Sequence, residues 1–200
     1  MTTTTTKTAT REALIDAAEQ LFATEGLDGA SLAAITKKAG QRNGGAIHYH
    51  FGGRDGLLGA VLDRHETVLD EARMTALNEL RQSGPVSIEA LMRVIVESLA
   101  GQLDSDSGRS FLVIQSERFS DGSQEFRSAS TQLIVAEIQS ILDGRFDANE
   151  QAERFRLVTQ LIVHRLADRS REETSGNAGP RGLVIDTLVS AATSILGGSH

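Results

Sequence analysis

The chain contains no cysteine, no tryptophan and only two prolines. Without cysteine it can form no disulfide, no thiolate metal site and no cysteine nucleophile. No apolar run approaches the ~18 residues that a membrane-spanning helix requires. The first residues also lack the apolar core of a secretion signal. These absences predict a soluble, cytoplasmic protein that does not contact a membrane.

Sequence motifs of common enzymes are missing as well. There is no phosphate-binding loop, no dinucleotide fingerprint, no HExxH and no Glu-x-x-His pair of a di-iron bundle. His65 and His164 have carboxylates nearby in the sequence, but exposed helices show such pairs routinely. We therefore predict that the protein is not an enzyme and that it carries no metal and no cofactor.

Lysine is also scarce, and its distribution is uneven. The net charge is −7, whereas many nucleic-acid-binding proteins are basic. Residues 1–55 nevertheless hold six basic and six acidic side chains, so residues 56–200 carry the whole negative excess. Residues 31–54 hold four basic and no acidic side chains, with two histidines. This cluster suits contact with DNA, and it also suits an ordinary solvated helix face.

The segment that contains this cluster, SLAAITKKAGQRNGGAIHYHFGGRDGL at residues 31–57, has the pattern of two short helices joined by a turn. Ser31 suits a helix N-cap, because its hydroxyl can accept a bond from an unpaired backbone N–H. Leu32 and Ile35 then recur at helical spacing. Gly40 suits the left-handed position that follows a helix.

The second helix of the pair, predicted over residues 41–50, is unusually polar. Its only clearly apolar side chains are Ala46, Ile47 and Tyr49. A buried helix would not have this composition, whereas a helix that lies in the major groove of DNA would. The segment is therefore predicted to be a helix-turn-helix.

These motifs resemble the DNA-binding domain of TetR-family (tetracycline repressor family) transcriptional regulators over roughly residues 10–58. In the first helix the resemblance rests on a basic residue, an Ala-Ala pair, a Leu-Phe pair and a closing glycine: Arg11, Ala17, Ala18, Leu21, Phe22 and Gly26. Downstream it continues through Ser31, Leu32, Ile35, Ala39, Gly40, Tyr49, His50, Phe51, Gly52, Arg54, Asp55 and Leu57. Ten residues separate Gly40 from Phe51, one more than the commonest family pattern. We place the extra residue in the turn, near Arg42.

The resemblance implies an all-α fold with two parts. Residues 1–53 would form a three-helix helix-turn-helix DNA-binding domain, with residues 1–9 as a disordered arm. Residues 54–200 would form a helical bundle for effector binding and dimerisation. Apolar periodicity predicts helices in this second part at about 54–82, 86–103, 109–119, 122–144, 147–171 and 180–196. The last two helices would pair with those of a second subunit, although an intrachain core is an open alternative.

The candidate DNA-binding residues are the basic, polar and glycine positions of the segment: Lys37, Lys38, Arg42, Asn43, Gly44, Gly45, His48, Tyr49, His50 and Arg54. Arg42 suits either a guanine or a phosphate. Asn43 suits an adenine, and equally a helix cap. Lys37 and Lys38 would bind phosphates or simply face solvent. The family positions that correspond to His48 through His50 and to Arg54 contact phosphates.

An effector pocket is implied by the resemblance alone and would lie within residues 86–171. Its candidate residues are Met92, Phe111, Gln115, Arg118, Phe119, Phe126 and His164. Arg118 could pair an anionic ligand, and it could equally pair Glu117 or another acid.

The expected function is that of a ligand-responsive transcriptional regulator. It would be a repressor that binds a palindromic operator on double-stranded DNA as a homodimer and is released by an unidentified small molecule. The alternative is a helical dimeric module that binds ligands or proteins, and whose DNA binding is lost or depends on a ligand.

Overall fold

The computed structural model describes residues 2–120 and 128–197, with side chains from Lys7 onward. Within these residues the chain is helical and contains no strand. The α-helices are α1 (Thr2–Glu25), α2 (Leu32–Lys38), α3 (Ala46–Phe51), α4 (Arg54–Ser83), α5 (Ile88–Gly101), α6 (Asp106–Arg118), α7 (Ala129–Ile141), α8 (Ala148–Thr174) and α9 (Arg181–Ile195). A 3₁₀ turn, Gln102–Asp104, joins α5 to α6.

Helices α1 to α3 form a small unit, here called the head, around an apolar core. Phe22 of α1, Ile35 of α2 and Ile47 of α3 are fully buried together with Leu14. Each helix contributes a narrow apolar face, and burial of such a face stabilises short helices that would not persist alone in water.

The structure gives a helical backbone from Thr2 onward, where the sequence analysis expected a disordered arm over residues 1–9. Helix α1 begins at Thr2 and includes the threonine-rich segment. Lys7 Nζ lies 5.0 Å from the centre of the Tyr49 ring, and the Arg11 guanidinium lies 5.2 Å from that of Phe51. The low helix propensity of threonine does not predict a helix over this segment.

Helix α4 connects the head to the rest of the chain. It spans 30 residues, as the periodicity over 54–82 predicted, and at 1.5 Å per residue it is about 45 Å long. Its first turns pack on α1 and α3, and its later turns pack on α5 and α7. The expected domain boundary between residues 53 and 54 stays a prediction, since α4 belongs to both cores.

Helices α5 to α9, together with the later turns of α4, form a larger unit, here called the body. Helix α5 is its most buried element and packs between α4 and α9, while α6 packs against α8. The helical regions predicted from the periodicity are observed, apart from residues 122–127 of the expected 122–144 helix, which lie outside the described part of the chain. Among the helices that are described, none is both long and apolar enough to cross a membrane.

Candidate nucleic-acid interface and effector cavity

The end of α2 fixes the direction of the chain before α3. At its start, Ser31 Oγ accepts a hydrogen bond from the Ala34 N–H at 3.1 Å, which confirms the predicted N-cap. At its end, Gly40 adopts a φ of 67°, as predicted. The Gly40 N–H donates to the Lys37 carbonyl, and the Gln41 N–H donates to the Thr36 carbonyl, both at 3.0 Å. This pair of bonds is a Schellman motif, and it closes α2 tightly.

Residues 41–45 form a turn, so the helix predicted over residues 41–50 is wrong in its first half. Asn43 Oδ1 accepts a hydrogen bond from the Gly45 N–H at 2.9 Å, and the Asn43 carbonyl accepts one from the Ala46 N–H at 3.1 Å. Asparagine competes with helix through such side-chain bonds, and glycine loses more entropy in a helix than other residues. Asn43 is not the helix cap that the sequence allowed, because Gly45 holds the N-cap position and no side chain caps α3. Contact with an adenine stays a prediction.

The outer surface of this turn and of α3 is well exposed. We call it the recognition surface, and it consists of Lys37, Lys38, Arg42, Asn43, Gly44, Gly45, His48 and Tyr49. His50 is half-buried, whereas Ala46 and Ile47 face the core of the head. Tyr49 is 70% exposed, which is unusual for an aromatic side chain.

The cations of the recognition surface carry no ion pair within the described residues. Lys37, Lys38 and Arg42 all lie away from the carboxylates of the head. Lys7 is not among the candidate DNA-binding residues, but it is a fourth cation at this surface, because the helical course of α1 brings it next to Tyr49. The only signal for it was the basic flank of the threonine run. The surface is therefore locally positive on a chain whose net charge is −7.

Arg54 does not belong to this surface. Its guanidinium donates hydrogen bonds to the carbonyls of Leu27 and Ala30, and it lies 5.2 Å from the centre of the Phe22 ring. The phosphate contact expected for Arg54 stays a prediction, and within the described residues its guanidinium binds these two carbonyls. Its charge satisfies backbone carbonyls in the loop between α1 and α2, where no helical partner is present.

The body contains a partly open cavity of about 80 Å³. This is room for several water molecules. Its walls are mostly apolar and come from α5, α7 and α8, with Phe119 just after α6: Met92, Ile95, Leu99, Phe119, Ile134, Val135, Phe155, Val158, Ile162 and Val163. The polar residues among its walls are Glu66, Arg73, Gln115, Arg118, Ser128, Thr131 and Thr159.

Four of the expected effector residues line this cavity, namely Met92, Gln115, Arg118 and Phe119. Phe111 does not, because it is fully buried elsewhere and stacks on the His65 ring at 4.5 Å. His164 lies exposed on α8 and not in the core. Phe126 lies outside the described residues.

Glu66 is the central polar group of the cavity. Its Oε1 accepts a hydrogen bond from Gln115 Nε2 at 2.9 Å, and Gln115 Oε1 accepts one from Arg118 Nη1 at 3.0 Å. Glu66 Oε2 is buried and has no hydrogen-bond partner among the described residues, with Arg73 Nη1 at 3.8 Å. Burial raises the pKa of Glu66, and the nearby Arg73 and Arg118 oppose this effect without cancelling it.

Two further charged residues of α4, Asp70 and Arg73, lie near Glu66. Arg73 is almost completely buried and donates to Ser98 Oγ and Thr131 Oγ1, both at 2.8 Å. Burial lowers the pKa of Arg73, while Glu66 and Asp70 act against that change. Burial raises the pKa of Asp70, but hydrogen bonds from Ser128 and Ser130 outweigh it and hold the pKa below its ordinary value.

Sequence reasoning missed these three residues. Glu66, Asp70 and Arg73 have the i, i+4, i+7 spacing that places side chains on one face of a helix. The spacing itself was therefore a usable signal. It pointed equally to a solvated face, because nothing in the sequence showed that this face packs against α5, α6 and α7.

Polar contacts also join the head to the body. The Leu27 N–H of the head donates to Glu117 Oε2 of α6 at 2.7 Å. Buried His65 of α4 lies with Nε2 2.9 Å from Glu19 Oε2 of α1, and with Nδ1 2.9 Å from Gln102 Oε1. Glu117 therefore binds the head, and it is not the partner of Arg118 that the sequence allowed.

An N-terminal helix-turn-helix with an exposed polar recognition segment, joined to a helical body, defines a DNA-binding transcriptional regulator. The comparisons with known proteins agree. Residues 14–61 match the model of the family "Bacterial regulatory proteins, tetR family". The chain is 30% identical over 102 residues to the uncharacterized HTH-type transcriptional regulator TtgW of Pseudomonas putida, a match that covers 51% of this chain and 69% of that protein. The protein thus belongs to the TetR family.

A solved structure shows the same fold. A TetR-family transcriptional regulator from Rhodococcus sp. superposes with a TM-score of 0.51 at 19% identity, over 94% of this chain and 99% of the other. A TetR-family regulator from Streptomyces coelicolor A3 gives a TM-score of 0.48 at 20% identity, over 95% and 96%. The expected all-α architecture is confirmed, and the family consists of DNA-binding transcription factors, not of enzymes.

Proposed function

We propose that this TetR-family regulator is a cytoplasmic repressor that binds a palindromic operator as a homodimer and is released by a small molecule. The observation that carries the proposal is the recognition surface. Its cations are exposed, they lack carboxylate partners within the described residues, and they surround the short helix that the family places in the major groove.

Contacts with phosphates set the position of the head on DNA. Lys37 and Lys38 at the end of α2, and Lys7 beside Tyr49, bind the backbone and give the salt dependence. Tyr49 and His48 donate further hydrogen bonds to phosphate oxygens.

Sequence preference comes from the turn and the start of α3. Arg42 projects from the turn and reads a guanine or fixes a phosphate. Gly44 leaves open space on this side, since a Cβ there would meet no atom within 4 Å, whereas a Cβ at Gly45 would lie 3.3 Å from Asn43 Oδ1. The backbone can therefore approach the base edges closely.

Dimerisation uses the outer faces of α8 and α9. Leu157 and Leu183 are 47% and 66% exposed, and Leu161, His164 and Thr187 extend the same two faces. Exposed leucines in a row on adjacent helices are typical of an interface. A two-fold axis through these helices would present two heads to two half-sites, hence a palindromic operator.

This face is narrower than the full set of apolar residues on the two helices that the sequence analysis expected to pair with a second subunit. Phe155, Val158, Ile162 and Leu166 of α8 are buried in the body, so they belong to the intrachain core. On α9 the same holds for Leu188 and Ala192.

Release follows from a link between the cavity and the head. Gln115 and Arg118 line the cavity, and Glu117 on the same helix holds the Leu27 N–H. A ligand that fits the cavity better in another position of α6 would shift the heads away from the operator spacing. Affinity for DNA would fall by differential binding.

Selection from a random library of double-stranded DNA tests the proposal. We expect an inverted repeat with two equal half-sites to be enriched by the full-length protein. Its half-site spacing gives the distance between the two heads. Enrichment of a single half-site would contradict the dimer. No enrichment at low salt would contradict operator binding and favour a ligand- or protein-binding module.

A further inference from the structure

The cavity of the body has a chemical polarity that restricts its ligand. Apolar side chains from α5, α7 and α8 form most of the wall, and charged and amide side chains meet where α4 and α6 approach each other. A molecule that fills this space must place hydrocarbon against Ile95, Leu99 and Val158 and one polar group near Glu66. The distribution of apolar and polar side chains in the lining therefore favours an amphipathic ligand.

Among the described residues, the charges around this polar end balance. Arg73 and Arg118 act on Glu66, and Asp70, just outside the cavity wall, acts on Arg73. Two guanidinium groups of the described chain thus stand against two carboxylates. A ligand with a net charge would bring an uncompensated ion into a buried site, and this is costly. An uncharged ligand avoids that penalty.

One hydrogen-bond acceptor at the polar end is unpaired. Glu66 Oε2 is buried without a hydrogen-bond partner in the described part of the chain, although Oε1 of the same carboxylate accepts from Gln115 at 2.9 Å. A buried carboxylate oxygen accepts bonds and donates none when it is ionised. Leaving it unpaired is unfavourable, so a donor that reaches it is favoured.

We propose that the effector is an uncharged, largely apolar molecule with a hydroxyl group, and that this hydroxyl donates a hydrogen bond to Glu66 Oε2. The inference rests on the proposed function, because it identifies the ligand class of the same regulator. Glu66 then determines specificity by accepting a donor that an ether or a hydrocarbon cannot supply.

Four probes with similar chains test this preference on the full-length protein: 1-octanol, 1-methoxyheptane, octylammonium and octanoate. Octanol and methoxyheptane have the same number of heavy atoms and differ in the hydroxyl donor. We expect octanol to bind at least ~10-fold more tightly than methoxyheptane, since a hydrogen bond to a charged group is among the stronger ones. Calorimetry or titration of backbone amide shifts measures the four affinities.

Variants locate the effect. In Glu66→Leu the preference for octanol over methoxyheptane should disappear, while methoxyheptane still binds. Glu71→Leu is the matched control, because Glu71 lies on the same helix with its side chain exposed, and it should keep the preference. The four probe affinities are also compared on the wild-type protein, so this comparison remains valid if a variant fails to fold.

Each other outcome contradicts the proposal. Equal binding of octanol and methoxyheptane rejects hydroxyl recognition. Tightest binding of octylammonium or octanoate rejects an uncharged ligand, and binding of none of the four rejects the cavity as a site for such molecules. Operator selection is measured separately without any probe, so failure of the ligand assignment is distinguishable from failure of the proposed regulator function.

Discussion

The head and the body use cations in opposite ways. In the head, Lys37, Lys38 and Arg42 are exposed and have no carboxylate partner within the described residues. In the body, Arg73 is buried and bonded to Ser98 and Thr131 at 2.8 Å. A cation that retains its hydration and its freedom can bind an external phosphate, whereas a buried and bonded cation shapes a cavity. The same charge thus suits two different roles, and its surroundings decide which one.

The largest expected effect concerns the buried cation. Arg73→Leu removes the partner of Glu66 and Asp70 and leaves two carboxylates without it, which should lower the free energy of unfolding by about 3–5 kcal/mol. At about 2–4 °C per kcal/mol for a chain of this size, the melting temperature falls by about 10 °C. Thermal unfolding followed by circular dichroism measures this shift.

Arg81→Leu is the control for Arg73. Arg81 lies on the same helix, is 44% exposed and pairs with Glu137 at the surface. Surface pairs of this kind contribute about 0–1 kcal/mol. A melting temperature for Arg73→Leu that equals that of Arg81→Leu would show that the buried network does not stabilise the body.

Removing two side chains of the recognition surface should weaken DNA binding without lowering the stability of the fold. Arg42→Ala combined with Tyr49→Ala is expected to reduce operator affinity by about 100-fold, because each lost phosphate or base contact costs about 1–3 kcal/mol. Helix content should not change, since both side chains are exposed. Fluorescence anisotropy with the selected operator measures the affinity. Arg171→Ala, 57% exposed on α8, should bind like the wild type, and unchanged binding of the double variant would refute the assigned surface.

Asp70→Asn should have an intermediate effect on the body. The carboxylate accepts bonds from Ser128 Oγ at 2.6 Å and the Ser130 N–H at 2.8 Å, at the start of α7. Loss of its charge should cost about 1–2 kcal/mol of unfolding free energy at neutral pH.

This cost should depend on pH in a definite direction. The folded-state pKa of Asp70 lies below its ordinary value of 3.8. Its stabilisation is therefore fully present above that value and is lost as the pH falls through the lower folded-state pKa. Chemical denaturation between pH 2.5 and pH 7 should show the wild type and Asp70→Asn converging at the acidic end. A constant difference across this range would contradict the role assigned to the carboxylate.

The smallest expected effect is at the contact between the two regions. Glu117→Gln replaces a charge-assisted hydrogen bond to the Leu27 N–H with a neutral one, a loss of about 1 kcal/mol. Hydrogen exchange at the Leu27 amide should accelerate by about 5-fold. Exchange at the Gly26 amide, which donates to the Phe22 carbonyl at 3.1 Å, serves as an internal control. Equal acceleration at both amides would indicate general loosening of the loop.

The sequence predicted the head better than the body for a physical reason. Ser31 and Gly40 act through local backbone geometry, so their roles as N-cap and left-handed terminus could be predicted from position alone. The start of α3 could not, since the side chain of Asn43 competes with the helix. The bonds from Arg54 to the Leu27 and Ala30 carbonyls were not predicted, because they depend on how the loop between α1 and α2 folds. The turn at Asn43 has a local cause, whereas the contacts of Arg54 join residues far apart in the sequence.

The cavity was only partly predictable. Four of the expected residues line it, because the resemblance placed the pocket within residues 86–171, which include α5 and α6. Glu66 and Arg73 were missed because they lie on α4, which was interpreted as a connector. Whether a polar face of such a helix meets solvent or other helices is decided by tertiary packing, and neither periodicity nor composition reports that.

The most direct test of the contrast between head and body is the salt dependence of operator binding. Each phosphate contact contributes about −0.9 to the slope of log K against log salt concentration. We predict that the variant Lys37→Ala, Lys38→Ala, Arg42→Ala has a clearly shallower slope than the wild type. The variant Arg81→Ala, Arg93→Ala, Arg171→Ala, which removes three exposed cations of the body, should keep the wild-type slope. Equal slopes for the two triple variants would contradict the assignment of DNA binding to the exposed cations of the head.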